Sequence, residues 1–169
     1  MEYKLSVGFN GDLDLLEKMY ADKENKIGTL YTGGYLKEVT SGRYQHSKSE
    51  QELERIVEAV HDKNARLAVT LNSPCNVPPL SEKQWWENVK NYLKHLESIG
   101  VDTAIIAHPF IMALAKENTN LSVAASIICD VNTPRGALYY EDMGADVIVP
   151  SSSINYDLEQ LKQIKANLK

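Results

Sequence analysis

Residues 100–109 read GVDTAIIAHP, and this stretch carries the signals on which the fold prediction depends. Gly100 follows a stripe of apolar residues at helical spacing, a position where glycine commonly ends a helix. Thr103–Ala107 is a short and nearly continuous apolar run, typical of a strand that is covered on both faces. Pro109 can open the next helix, because its missing N–H costs nothing in the first turn. The stretch therefore predicts a helix, a strand and a second helix in succession.

The same order recurs at residues 144–149, GADVIV, where Gly-Ala-Asp again leads into an apolar run. Outward from these two stretches, apolar runs alternate with amphipathic segments along the whole chain. Ser81 and Gln84 have the spacing of a capping box for the third helix. Strands alternating with helices predict β-α-β units and a parallel sheet. Six strands are predicted, at residues 5–9, 27–32, 67–71, 103–107, 121–128 and 147–149.

This order predicts an α/β fold, a parallel (β/α) barrel of the TIM type with about six βα units. A complete barrel has eight strands in typically about 250 residues, so six units indicate an incomplete one. The alternatives are a shortened chain, an open doubly wound sheet and a partial barrel that a partner completes. Residues 1–169 are predicted to form a single domain. Open strand edges invite pairing with another chain, so a homodimer or a covering segment is expected.

Composition excludes several classes of protein. The net charge of -5 gives no electrostatic reason to expect DNA or an anionic membrane as a partner. No apolar run reaches membrane-spanning length, and the first residues lack the apolar core of a signal peptide. Two cysteines, Cys75 and Cys129, are too few for a disulfide scaffold. The simplest prediction is a cytoplasmic protein with reduced thiols and no membrane contact.

Ligands of parallel sheets bind at the carboxyl ends of the strands, and this rule selects the candidate site. His108 is a candidate general base, because the ordinary pKa of histidine lies near neutrality. Cys75 is a candidate nucleophile. The candidate substrate-binding residues are Thr32, Gly33, Asn72, Ser126 and Asn132.

Each candidate also has a structural interpretation. Gly33 can form a tight turn, and the asparagines can satisfy local backbone groups. His108 can cap its helix, and a buried inert thiol is the commoner outcome for cysteine. No metal site is predicted, since the sequence lacks His-Glu-x-x-His, Cys-x-x-Cys and P-loop motifs.

Several segments together resemble the N-terminal catalytic domain of the collagenase-like peptidases. Residues 67–72, LAVTLN, are similar to the family's third strand, which ends in Thr-x-Asn. Residues 93–109 resemble its segment of helix, Gly-Val-Asp and apolar strand. Residues 126–149 are similar to its fifth and sixth units, and Gly33-Gly34 lies where the family has glycines after its second strand. The resemblance spans nearly the whole chain.

Three positions depart from the family pattern. His108 stands where the family often has Asp, Ile127-Ile128 follow Ser126 in place of a Ser-Thr-Gln run, and Ser151–Ser153 replace an Arg with an acidic neighbour. The resemblance implies a peptidase, hence a hydrolase, acting on a peptide or small-molecule substrate. The departures keep open a non-catalytic binding or accessory domain.

The resemblance also implies a second enzymatic alternative. Some members of the family bind an iron–sulfur cluster on C-terminal cysteines and hydroxylate RNA bases or quinone precursors without oxygen. No cofactor is therefore expected in these residues. An iron–sulfur cluster is expected only if a C-terminal cysteine cluster exists, and RNA enters as a partner through this analogy alone. The chain would then be the N-terminal part of a longer architecture.

Overall fold

The computed structural model describes residues 4–22, 24–39, 49–73, 78 and 80–169, and within them strands and helices alternate. The strands are β1 (Leu5–Gly8), β2 (Ile27–Gly33), β3 (Arg66–Leu71), β4 (Thr103–Ile106), β5 (Ser122–Ala125) and β6 (Val147–Ile148). The helices are α1 (Leu13–Tyr20), α2 (Glu50–His61), α3 (Lys83–Ser98), α4 (Pro109–Asn118), α5 (Pro134–Asp142) and α6 (Leu158–Asn167). No helix in the described ranges is both long and apolar enough to span a membrane.

The six strands form one parallel sheet in the order β1-β2-β3-β4-β5-β6. The sheet curls into a half-barrel with the helices on its outer face, which confirms the prediction of an incomplete TIM-type barrel. From β2 onward, each strand pairs with the strand that precedes it in the chain, as consecutive strands commonly do. The carboxyl ends of all six strands therefore lie along one rim.

The main core lies between the sheet and the helices. Leu67, Val69 and Leu71 alternate along β3 and are at most 1% exposed. They pack in one cluster with side chains of α2 and α3 such as Ile56 and Leu93. Because side chains alternate along a strand, the residues between them face the inside of the half-barrel. The two faces of the sheet can thus be assigned residue by residue.

The repeated Gly-x-Asp motif joins helices to strands at the amino-terminal edge of the sheet. Gly100 and Gly144 have φ of +89° and +104°, a left-handed conformation that glycine adopts without steric cost. The Asp102 carboxylate accepts from the backbone N–H of Leu67 at 2.8 Å, and Asp146 accepts from that of Val123 at 2.8 Å. Each aspartate therefore ties the start of its own strand to the start of the preceding strand.

Two local predictions were wrong. The fifth strand ends at Ala125, and Ile127–Cys129 form a 3₁₀ turn, because the Ser126 hydroxyl accepts from the backbone N–H of Ile128 and starts that turn. The capping box is absent too. Glu82 occupies the N-cap position of α3 without a side-chain cap hydrogen bond. The rim after β5 is consequently a short turn, after which Val131 pairs in parallel with Pro150.

Candidate functional site

Asn72 and Ser126 lie on the inner face of the half-barrel, at the carboxyl ends of β3 and β5. The sheet register places Thr70 beside Ile105 and Ile105 beside Ala124. Two residues further along their strands, Asn72 and Ser126 share that inner face. They are 8% and 1% exposed, so two polar side chains are buried at this rim. The position is the one where ligands of parallel barrels bind.

The two side chains are hydrogen-bonded to each other. Asn72 Nδ2 donates to Ser126 Oγ at 3.1 Å across the end of β4. The backbone N–H of Ile128 donates to the same oxygen at 3.3 Å. A hydroxyl has two acceptor lone pairs and one O–H donor, so both lone pairs of Ser126 are used. Its O–H remains as a donor, for which the described part of the chain shows no acceptor.

A second polar group lies at the same rim, beyond β5 and β6. Ser151 Oγ donates to Asp130 Oδ1 at 2.5 Å and lies 2.8 Å from Ser153 Oγ. Asp130 has φ of 51°, a left-handed conformation that aspartate tolerates better than most residues. Val131 and Pro150 form an isolated parallel bridge that holds the two loops side by side. The Asp130 carboxylate is thereby fixed at the rim while its residue stays exposed.

The remaining predicted binding residues occupy three different environments. Gly33 pairs with Thr70 and lies on the inner face, below Asn72. Thr32 shares the helix-facing side of β2 with Leu30 and is 2% exposed, so its side chain points away from the Asn72–Ser126 pair. Asn132 is exposed, and its carbonyl accepts from Gln160 Nε2 at 2.7 Å. Their roles in binding stay predictions.

His108 is the N-cap residue of α4, and its imidazole faces the helices. The centroid of its ring lies 6.2 Å from that of Trp86 on α3 and 5.8 Å from that of Phe110 on α4. Burial lowers the pKa of His108 below the usual histidine value. Its Nδ1 atom is buried and has no hydrogen-bond partner among the residues that the structure describes. The described contacts do not connect this ring to Asn72 or Ser126, and its catalytic role stays a prediction.

The chain has two thiols, those of Cys75 and Cys129. Cys75, the predicted nucleophile, lies outside the described residues. Cys129 Sγ lies 3.5 Å from the carbonyl oxygen of Ala107 at the end of β4. Burial raises the pKa of the Cys129 thiol, which a hydrogen bond from Tyr140 partly offsets. The thiolate is the nucleophilic form, so this environment holds Cys129 in its unreactive state.

Asp130 and Ser151 follow predicted strands and so fall at the predicted rim, but they were not among the predicted binding residues. The available signal was that they come after consecutive strands, whose carboxyl ends meet at the same edge of a parallel sheet. An acidic side chain and a hydroxyl after neighbouring strands can therefore be expected to meet. The left-handed turn at Asp130, which brings the carboxylate to Ser151, had no such signal.

A curled parallel sheet with helices outside defines a barrel-type α/β protein, a class whose ligands bind at the strand ends. The sequence pattern of peptidase family U32 matches residues 15–169. The chain belongs to this family, in agreement with the resemblance found in its sequence.

Known proteins resemble the chain in sequence and in fold. The chain is 26% identical over 118 residues to the uncharacterized protease MJ1657 of Methanocaldococcus jannaschii, and the match covers 70% of the chain and 35% of that protein. The chain thus spans about a third of the length of this curated relative. The structure of the U32 peptidase Mk0906 superposes with a TM-score of 0.80 at 18% identity, covering 100% of this chain and 67% of that one.

More distant barrels share the fold alone. A GH113 β-1,4-mannanase superposes with a TM-score of 0.56 at 15% identity, covering 98% of this chain and 68% of the mannanase. The N-acetylmannosamine-6-phosphate 2-epimerase of Clostridium perfringens has a TM-score of 0.51 at 13% identity, covering 92% of this chain and 60% of the epimerase. Their different activities illustrate that this fold does not by itself specify a reaction.

Proposed function

We propose that this chain binds a peptide at the carboxyl rim of the half-barrel and provides part of a peptidase active site there. The observation that carries the proposal is the buried hydrogen bond between Asn72 and Ser126 at 3.1 Å. Buried polar side chains cost stability unless their groups are paired. Within the described residues the Ser126 O–H on the inner face has no acceptor, and we infer that a peptide carbonyl oxygen accepts its hydrogen bond.

The rim offers groups for a peptide on both sides of this donor. Gly33 has no side chain on the inner face of β2, so backbone of a bound chain can approach there. Asp130 and Ser151 lie beyond β5 and β6, on the other side of Ser126. An extended peptide lying across the strand ends would therefore meet Gly33, then the Asn72–Ser126 pair, then Asp130.

Asp130 is the proposed general base for hydrolysis. The hydrogen bond from Ser151 holds its carboxylate in place, and general bases act through such positioned groups. A water molecule attacks the peptide carbonyl carbon and gives one proton to Asp130. The C–N bond then breaks as this proton passes to the leaving amine, while the Ser126 hydroxyl stabilises the carbonyl oxygen.

The proposal is tested by measuring binding and cleavage separately. Wild-type protein is incubated with gelatin and with a mixture of synthetic peptides, cleavage is followed by mass spectrometry, and binding is measured by calorimetry. Asp130→Asn should retain binding and lose turnover, whereas Ser126→Ala should weaken binding and lower turnover. Ser98→Ala is the matched control, because Ser98 lies at the end of α3 and donates to the carbonyl of His95 in its own helix.

The outcomes separate the candidate functions. Cleavage at the wild-type rate by Asp130→Asn and Ser126→Ala would refute the proposed site. Peptide binding without cleavage by the wild type would favour the accessory domain suggested by the altered family positions.

The iron–sulfur alternative cannot be accommodated by the donor set of these residues. Such clusters are typically held by four cysteine thiolates, and the chain has two cysteines. A cluster-dependent hydroxylase would need ligands from outside residues 1–169, so no step of the proposed reaction involves a cluster.

A further inference from the structure

A histidine and two glutamates converge on the surface of helices α2 and α3. Glu50 and Glu54 lie one turn apart on α2, and His95 lies on the neighbouring helix α3. One ligand atom from each of the three side chains lies within 4.8 Å of the other two. Imidazole and carboxylate are the donors that Zn²⁺ takes when three protein side chains bind it and a fourth position stays open.

The histidine supplies an observation independent of the two carboxylates. His95 Nε2 is a buried atom without a hydrogen-bond partner in the described part of the chain. It lies 3.4 Å from Glu50 Oε1, a contact close enough for an ion pair but without hydrogen-bond geometry. Buried polar atoms are normally paired, so an unpaired nitrogen beside a carboxylate indicates a missing partner between the two.

The distance itself fits a shared metal ion. Zinc bonds to imidazole nitrogen and carboxylate oxygen of about 2.0–2.1 Å, at tetrahedral angles, place the two ligand atoms about 3.3–3.4 Å apart. The observed separation of Nε2 and Oε1 is 3.4 Å. Glu54 is exposed and on a flexible stem, so its carboxylate can move to the third position by side-chain rotation alone.

The aromatic residues behind His95 hold its ring in place. The ring of Tyr35 packs against that of His95 edge to face, with centroids 6.1 Å apart. Tyr35 is itself fixed by Tyr92, whose hydroxyl accepts from the Tyr35 backbone N–H at 3.2 Å and whose ring centroid lies 4.9 Å away. A ligand that is held in advance loses less conformational entropy on binding an ion.

A bound cation would relieve the electrostatic repulsion between the two glutamates. Like charges at i and i+4 of a helix repel each other, and the ion pairs of the described residues give Glu54 no lysine or arginine partner. We propose that Glu50, Glu54 and His95 form a Zn²⁺ site that links the start of α2 to α3, with water in the open fourth position. A bound dication removes the repulsion and pairs the buried nitrogen.

The test measures zinc binding by the 169-residue chain directly. Protein stripped with EDTA and dialysed is titrated with ZnCl₂ by calorimetry, and Co²⁺ is added separately to record the visible spectrum that tetrahedral coordination produces. Wild type should bind one ion per chain. His95→Gln and Glu54→Gln should each weaken binding by at least about tenfold, a loss that even outer-shell changes can cause, and should lose the cobalt spectrum.

Two control variants make the same substitutions, glutamate to glutamine and histidine to glutamine, outside the proposed site. Glu58→Gln removes a glutamate one turn further along α2, and His61→Gln removes a histidine whose Nε2 instead faces Asp102 at 2.9 Å. Both should bind zinc within about twofold of wild type, a difference of about 0.4 kcal/mol. Circular dichroism of metal-free His95→Gln and Glu54→Gln should show wild-type folding. The absence of saturable zinc binding, or unchanged binding in both variants, would overturn the proposal.

Discussion

The carboxylate of Asp102 accepts a hydrogen bond from the backbone N–H of Leu67 at 2.8 Å, so β4 secures the first residues of β3. The same oxygen lies 2.9 Å from His61 Nε2 at the end of α2. Asp146 repeats the arrangement at β5, where it accepts from Val123 N–H and from Lys116 Nζ. One short sequence motif thus performs the same structural task twice, at the edge of the sheet opposite the candidate site.

Replacing Asp102 with alanine should destabilise the fold. The Leu67 N–H would lose its acceptor, and an unpaired backbone donor costs about 1–3 kcal/mol. Urea unfolding should show a loss of this size for Asp102→Ala and a similar one for Asp146→Ala. Asp62→Ala is the control, because Asp62 is exposed at the end of α2, and surface changes usually stay within about 0.5 kcal/mol. Equal stabilities of the Asp102 and Asp62 variants would contradict this role.

The alternation of apolar runs and amphipathic segments was sufficient to predict the parallel half-barrel, since each strand pairs with its neighbour in sequence. The end of the fifth strand could not be predicted, because Ile127 and Ile128 are as apolar as the strand itself. A third helix-to-strand connection does not repeat the Gly-x-Asp motif. Asn64 adopts φ of 55° in the position that glycine takes at residues 100 and 144. Because both asparagine and glycine adopt this left-handed conformation, the shared conformation does not appear as a repeat in the sequence.

The sequence predicts that candidate residues lie at the carboxyl ends of the strands, but it does not predict which side chains contact each other. Asn72 and Ser126 are 54 residues apart, and their contact depends on the register of β3, β4 and β5. The same register turns Thr32 toward the helices. A shift by one residue would exchange the two faces, and nothing in the local sequence fixes the register to that accuracy.

The Asn72–Ser126 hydrogen bond should be measurable as a coupling free energy. Asn72→Ala and Ser126→Ala should each lower the free energy of unfolding by about 1–3 kcal/mol, because each takes a hydrogen bond away from a buried polar partner. The double variant should lose less than the sum, with an interaction of about 0.5–1.5 kcal/mol. Denaturant unfolding of all four proteins gives this value. Asn72→Ala combined with Ser98→Ala should be additive within about 0.5 kcal/mol, and additivity of the Asn72 and Ser126 changes as well would show that the bond contributes nothing.

His108 should make the folded protein less stable as the pH falls. Burial lowers its pKa in the folded state, so the unfolded chain takes up the proton first as the pH falls through the ordinary histidine value near 6.5. Protonation then favours unfolding, so the free energy of unfolding decreases as the pH falls through this window. Urea midpoints measured at about pH 7.5 and about pH 5.5, on either side of that value, should differ less for His108→Gln than for wild type. An equal difference in both proteins would show that His108 does not contribute.

Cys129 should react slowly with alkylating reagents in the folded protein. Burial raises the pKa of its thiol, and the neutral thiol is not the reactive form. In a Cys75→Ser background, where Cys129 is the remaining cysteine, labelling by iodoacetamide at neutral pH should be at least about tenfold slower than in urea. The hydrogen bond from Tyr140 acts in the opposite direction and lowers the pKa of the thiol. Tyr140→Phe should therefore slow labelling further, provided that circular dichroism shows the fold unchanged. Labelling of the folded protein at the rate of the urea-unfolded chain would mean that the thiol is accessible and ionised, and Cys129 would then have to be reconsidered as a nucleophile at the end of β5.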